Sequence, residues 1–118
     1  MAHDERLAER IRALVGDEPG VTEQRMFGGV GFLVDGKLAV SASGQGGLMV
    51  RVDPEEGERL VASTAARPME MRGRPMRGWL RVDTDAVPTK RDLARWVGRG
   101  TAYARSLPPK GSIRRGRR

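Results

Sequence analysis

The chain has 118 residues, of which 38% are hydrophobic, and this predicts one modest core rather than two. It contains no cysteine, so disulfides, thiol nucleophiles and cysteine-bound metal centres are excluded. The net charge is +7, but residues 110–118 hold five basic residues and no acid, so we expect a nearly neutral domain over 1–109 and a disordered basic tail over 110–118.

The first half of the chain predicts one helix and three strands. Hydrophobic periodicity indicates an amphipathic helix over Asp4–Val15, which the Gly, Pro and acidic residues at 16–20 end. Alternating and β-branched residues then predict strands at Thr22–Phe27, Val30–Val34 and Lys37–Ser41. Between the last two strands lies Asp35-Gly36, a dipeptide typical of a type I′ hairpin turn because both of its residues need positive φ angles.

A fourth strand and a second helix follow. The strand is predicted over Leu48–Val52, where apolar residues alternate along the sequence. Asp53 is a good N-cap for the helix, because Pro54 suits the first helical position and Glu56 stands three residues after the cap. We expect this helix to end near Ser63.

The last part of the chain predicts two more strands and a third helix. The strands cover Arg67–Met71 and Trp79–Val82, and the loop between them is rich in Gly, Pro and Arg. Thr89 can cap the helix, Gly100 interrupts its apolar stripe, and Pro108-Pro109 ends it. The fold class is therefore α+β, with a mainly antiparallel sheet of five to six strands and N-terminal, middle and C-terminal helices packed on it.

Several short motifs have a pattern that is familiar from one protein family. Met26–Phe32 has the sequence Met-Phe-Gly-Gly-Val-Gly-Phe, and Asp35-Gly36-Lys37 and Leu48–Asp53 follow it. Together with Pro75–Trp79 and the last helix, these motifs resemble the N-terminal domain of the TfoX/Sxy family. The resemblance implies an α+β domain of bacterial competence regulators and no catalytic residues. Longer members carry a second, helical domain, and we expect this chain to be a stand-alone N-terminal domain.

The glycines Gly28, Gly29 and Gly31 have two interpretations. A phosphate-binding glycine loop is followed by a helix whose N-terminus faces the phosphate. Here a strand follows instead, so the preferred interpretation is a fold-determining turn, made by these glycines and Asp35-Gly36, where backbones approach closely. We therefore expect no cofactor and no small-molecule ligand.

Three methionines form a candidate interaction face: Met49, Met69 and Met71. Met49 alternates away from the apolar residues of its strand, and Met69 and Met71 share one face of theirs. Filling of the core would also explain these methionines. On a second, partly apolar sheet face they would favour self-association or a protein partner.

The alternative site is the basic hairpin over Arg67–Arg81. Its candidate nucleic-acid contacts are Arg72, Arg74 and Arg77, together with the tail residues Arg114, Arg115, Arg117 and Arg118. Clustered arginines are typical of phosphate contacts, although a solvated hairpin tip and a solubilising tail also explain them. Trp79 is interpreted as a core residue or, if exposed, as a surface on which a base stacks.

The sequence contains no recognisable catalytic machinery. His3 is the only histidine, and the acids Glu55 and Glu56 lie in a first helical turn, where the helix dipole accounts for them. The first residues show no apolar core of the kind a signal peptide has, and the apolar stretches are far shorter than a membrane span, so we expect a cytoplasmic protein without a membrane partner. The predicted function is a non-enzymatic regulatory or protein-interaction module, and the alternative is a nucleic-acid-binding accessory protein.

Overall fold

The computed structural model describes residues 5–26 and 28–107, which excludes His3, Phe27 and the predicted tail. Its elements in chain order are α1 (Glu5–Val15), β1 (Val21–Met26), β2 (Gly29–Val34), β3 (Lys37–Ala42), β4 (Leu48–Arg51), α2 (Pro54–Ser63), β5 (Arg67–Met71), β6 (Arg74–Val82) and α3 (Lys90–Ser106). A single 3₁₀ turn at Thr84–Ala86 precedes α3. The predicted order of helices and strands is confirmed.

The six strands form one antiparallel sheet in the order β1-β2-β3-β4-β6-β5. Strands β1 to β4 follow one another through short turns. Helix α2 then carries the chain past the neighbouring position to β5, and β6 returns between β4 and β5. The α+β fold class, the antiparallel sheet and its N-terminal, middle and C-terminal helices are therefore as predicted.

Helices α2 and α3 cover the same face of the sheet. Val50 and Leu80 are cross-strand partners and both are buried, so their side chains point to one side. A Cβ atom at Gly57 of α2 would contact the side chain of Leu80, and one at Gly100 of α3 would contact Val50. Helix α1 packs against α3 and β3. The opposite face of the sheet has none of these helices against it.

Strand β6 begins five residues earlier than the predicted strand Trp79–Val82. The predicted loop is a two-residue turn, in which Arg72 and Gly73 have φ angles of 56° and 78°, followed by the first half of the strand. Pro75 argued against a strand here, because proline cannot donate a ladder hydrogen bond. It is tolerated because Pro75 lies opposite Glu70 of β5 in a non-hydrogen-bonded pair, one step from the pair that closes the turn. Its nitrogen therefore faces the side of β4, which pairs only with the last four residues of β6.

Both predicted helix caps are made by side-chain oxygens. The Asp53 carboxylate accepts hydrogen bonds from the backbone N–H groups of Glu55 and Glu56, at 3.0 and 3.3 Å. The Thr89 hydroxyl accepts one from the N–H of Asp92 at 3.1 Å. Each cap satisfies donors that have no partner within the helix, which is why α2 and α3 begin where the sequence predicts.

Candidate interaction surface

The face of the sheet away from the helices has an apolar groove. Along β3, β4 and β6 the residues Ser41, Met49 and Arg81 are cross-strand partners that alternate with the helix-facing row. The groove has a volume of about 470 Å³. Its apolar lining, here called the methionine groove, consists of six half-buried residues: Met26, Leu38, Met49, Met69, Met76 and Trp79.

Two of the three methionines predicted as an interaction face line this groove together. Met49 reaches it from β4 and Met69 from β5, whereas the side chain of Met71 lies outside the described part of the structure. Sequence reasoning missed Met26 and Met76. Strand alternation could not indicate the position of Met76, because the residues before Trp79 were predicted to form a loop.

Leu38 enters the groove through an irregularity in the sheet. The pairing of β2 with β3 shifts by one residue between Phe32 and Leu33. Beyond this shift, the side chains of β3 that would face the helices face the groove instead. A Cβ atom at Gly31 would therefore meet both the Leu38 and the Met26 side chains, at 2.8 and 2.9 Å. Strict alternation from Val40 would place Leu38 among the helix-facing residues, so only the three-dimensional register shows its position.

Trp79 lies at the end of the groove, half-buried rather than in the core. Its cross-strand partner is Arg51, whose guanidinium lies 5.5 Å from the Trp79 ring and 5.7 Å from the ring of Tyr103. The electron-rich faces of the two rings attract the positive charge of Arg51, so both cation–π contacts help to hold its side chain in place. Trp79 also lines a second depression of about 340 Å³, between α2 and the β5–β6 hairpin.

The arginines of the basic hairpin divide into two groups. Arg67 forms an ion pair with Asp83 at 2.6 Å, and Arg77 lies 3.6 Å from the Glu58 carboxylate. The acids that balance these cations come from outside the hairpin. Arg72 and Arg74, at its tip, are exposed and have no ion-pair partner among the described residues. The tail residues Arg114, Arg115, Arg117 and Arg118 lie outside the described part of the chain.

Arg81 fixes the loop that forms one wall of the groove. Its guanidinium donates to the backbone oxygen of Gly46 at 2.9 Å and to the Ser43 hydroxyl at 3.3 Å, and it lies 3.5 Å from the Gln45 side-chain oxygen. These bonds connect β6 to the loop between β3 and β4. The polar groups at this wall therefore bond to one another.

The glycine motif connects two strands. Gly28 has a φ angle of 78°, and β2 begins directly after it. Gly29 packs on the backbone of the turn after β3: a Cβ atom there would clash with the Ala42 carbonyl oxygen and lie 2.8 Å from the Gly44 nitrogen. Asp35 and Gly36 form the next turn, with φ angles of 52° and 84°. No helix follows these glycines, so they lack the element that faces a bound phosphate.

In the described part of the chain, the titratable side chains outside the groove are half-buried or exposed, except for Lys37, which is buried. In the described ranges, no group of three or more His, Asp or Glu residues could hold a metal ion. The clearest electrostatic pair joins α1 to β1, where Arg12 donates two hydrogen bonds to the Glu23 carboxylate at 2.7 and 2.5 Å. These hydrogen bonds lower the pKa of Glu23 and raise the pKa of Arg12. No helix within residues 5–26 and 28–107 is long and apolar enough to cross a membrane.

Comparison with known proteins gives one family. The model of the TfoX N-terminal domain matches residues 13–104, which include every strand and most of the helices. Neither the curated proteins nor the solved structures give a match.

Proposed function

This chain belongs to the TfoX N-terminal domain family, and on that premise we propose that it is a non-enzymatic protein-interaction module that binds its partner in the methionine groove. Membership of the family indicates a regulatory domain of the competence type. Family membership alone does not imply the protein-interaction role. It rests on the open face of the sheet.

The observation that carries the proposal is the apolar lining of this open face. Four of its six residues are methionines, and Trp79 adds a large aromatic ring. Methionine side chains are flexible and polarisable, so they adapt to different apolar partners. Methionine and tryptophan are also enriched at protein interfaces relative to the rest of the surface. A groove of this composition suits the apolar side chains of a peptide segment.

The charged residues around the groove indicate which charges a partner should carry. Arg72 lies at its edge, and Arg74 is next to it across the hairpin turn, both exposed and without ion-pair partners among the described residues. Glu70 is the one acid in the lining. Complementary charge increases both the rate and the specificity of association. The expected partner is a segment with apolar residues flanked by carboxylates.

The polar groups of the groove support binding rather than catalysis. Ser43 and Gln45 are engaged by Arg81, and their bonds hold the loop in place. A catalytic pair would instead direct a nucleophile and a base at a common point in the depression. The proposed role for this wall is to keep the groove open and rigid for a partner.

The proposal is tested by affinity capture from the native host with the tagged chain and a double variant, Met49→Gln with Met69→Gln. Glutamine keeps the length of the side chain but brings a polar amide to the groove. The matched control is Arg59→Gln, an exposed position on α2 that does not line the groove. We expect a protein captured by the wild type and the control but lost with the double variant, while circular dichroism confirms that all three are folded.

Two results would contradict this function. One is the same captured proteins with the double variant as with the wild type. The other is capture of no protein by the folded wild-type chain at native abundance. Cross-linking through a photoreactive amino acid in place of Met69 would show in addition whether the partner contacts the groove itself.

The exposed tip of the basic hairpin favours a second candidate, binding of nucleic acid. Arg72 and Arg74 are free of described ion pairs, and cations that contact phosphates make binding salt-dependent. The test is binding of a labelled oligonucleotide by the wild type, by Arg72→Gln/Arg74→Gln and by a chain without residues 110–118. The control Arg59→Gln/Arg91→Gln removes the same charge elsewhere. No binding at low ionic strength would exclude this candidate.

A further inference from the structure

Strand β1 is an edge of the sheet that carries nothing on its outer side among the described elements. Its middle residues, from Thr22 to Arg25, are all exposed. The N–H and C=O groups on such an edge can pair with another strand, and proteins usually protect long edges against this. The residues of β1 decide which strand fits.

The hydrogen-bond pattern shows which residues of β1 face outward. The N–H of Asp35 donates to the carbonyl of Gly20 at 2.9 Å, and these residues continue the β1–β2 register by one step. Antiparallel pairs alternate between bonded and non-bonded, so Thr22 and Gln24 bond to β2. Glu23 and Arg25 therefore direct their N–H and C=O groups to the free edge.

These two outward residues have opposite charge and are separated by one position. We propose that β1 pairs with β1 of a second copy of this chain, antiparallel and around a two-fold axis at Gln24. Glu23 then lies opposite Arg25 of the other copy, and the symmetry repeats this pair on the other side of the axis. The outward groups of Glu23 and Arg25 exchange four backbone hydrogen bonds, and two opposite-charge pairs lie across the same rungs.

Charge selects this register over its neighbours. Moving the axis by one residue in either direction places Glu23 opposite Glu23, or Arg25 opposite Arg25, and like charges directly across a sheet are unfavourable. The carboxylate of Glu23 already accepts hydrogen bonds from Arg12. A carboxylate has about four acceptor sites, so it can also accept from Arg25 of the second copy.

The pairing brings the two methionine grooves together. Antiparallel strands joined around an axis perpendicular to the sheet keep the same face on the same side. Met26, which lines the groove, is opposite Thr22 of the other copy in this register. The dimer therefore presents two grooves on one continuous sheet surface, close to its axis. Dimerisation through β1 does not depend on what the grooves bind.

Charge reversal tests the proposal in the full chain. Glu23→Arg alone and Arg25→Glu alone each place like charges across both rungs, and we expect each to weaken dimerisation about a hundred-fold or more. Mixing the two variants restores complementarity, because one copy then carries two arginines and the other two glutamates. Light scattering after size exclusion should show a dimer for the wild type, monomers for each variant and a dimer for the mixture.

A cross-link checks the position of the axis. The chain has no cysteine, so Gln24→Cys introduces a single thiol. Directly opposed residues of a non-bonded pair have Cα atoms about 4.5 Å apart, close enough for a disulfide or a short bis-thiol reagent. We expect a covalent dimer with Gln24→Cys and none with Glu58→Cys on α2. A monomeric wild type at high concentration, or a dimer that survives both charge reversals, would overturn the proposal.

Discussion

Gly100 packs directly on the backbone of Ala39: a methyl group at Gly100 would lie 2.5 Å from the Ala39 carbonyl oxygen. It would also approach the side chain of Val50 to 3.3 Å. The apolar stripe of α3 is therefore not interrupted at this position. The glycine is buried on the packed side of the helix and lets it approach β3 closely.

The first prediction compares two glycines of the same helix. Gly100→Ala gains helix propensity, but the clash involves backbone atoms that cannot rotate away, so we expect a net loss of about 1–3 kcal/mol in the free energy of unfolding. Gly98→Ala is the control, since it is exposed and a Cβ atom there meets nothing within 4 Å. It should stabilise by up to about 1 kcal/mol. Urea denaturation measures both, and equal effects would contradict the packing argument.

The sequence predicted those helix starts and turns that depend only on residues close to them in the chain. The helix starts at Asp53 and Thr89 and the turn at Asp35-Gly36 need only a cap or a positive φ angle, and the sequence encodes these within a few residues. The early start of β6 could not be predicted in this way. Pro75 fits a strand only because β4 is too short to pair with it, and the length of β4 against β6 is a tertiary property.

The groove was predictable only in part, for a similar physical reason. Met49 and Met69 follow from strict alternation along their own strands. Leu38 does not, because the shift between Phe32 and Leu33 changes the side on which β3 directs its residues. Gly100 is a further example, since a glycine in a helical stripe does not by itself indicate whether a neighbour approaches it closely.

The second prediction concerns the cap of α2. Asp53→Ala removes the acceptor of two backbone hydrogen bonds at the start of the helix, and we expect it to lower the free energy of unfolding by about 1 kcal/mol. Asp53→Asn keeps a side-chain oxygen in the same place, so its effect should be clearly smaller. Chemical denaturation of the three proteins checks this order. An equal loss with asparagine and with alanine would contradict this, because both variants lack the charge and only asparagine keeps the acceptor.

The third prediction separates two glycines of the family motif. A Cβ atom at Gly29 would meet backbone atoms of Ala42 and Gly44, whereas one at Gly31 would meet the flexible ends of Leu38 and Met26. Side chains can move aside and backbone cannot, so Gly29→Ala should be the more damaging substitution. We expect Gly31→Ala to cost about 1–3 kcal/mol, within the usual range for overpacking.

Soluble yield and thermal denaturation together measure this difference. If Gly29→Ala yields no folded protein while Gly31→Ala does, the expected order holds without a melting curve for the first variant. A folded Gly29→Ala with the same melting temperature as the wild type would contradict the close backbone approach.

The last prediction is a pH dependence that comes from the pair of Arg12 and Glu23. The hydrogen bonds from Arg12 hold the pKa of Glu23 in the folded state below its ordinary value. The pair therefore stabilises the folded state fully at pH values where Glu23 is ionised in the unfolded chain as well. This contribution is present above the unfolded-state pKa and is lost as the pH falls through the lower folded-state pKa. Arg12 itself stays charged, because its pKa is raised.

Both side chains are more than a third exposed, so Arg12→Gln should cost only about 0.2–1 kcal/mol near neutral pH. Urea denaturation from about pH 7 to about pH 3 should show this difference from the wild type shrinking toward zero. The control Arg91→Gln removes another exposed charge, one with no ion pair among the described residues. A difference for Arg12→Gln that stays constant with pH would rule out the linkage.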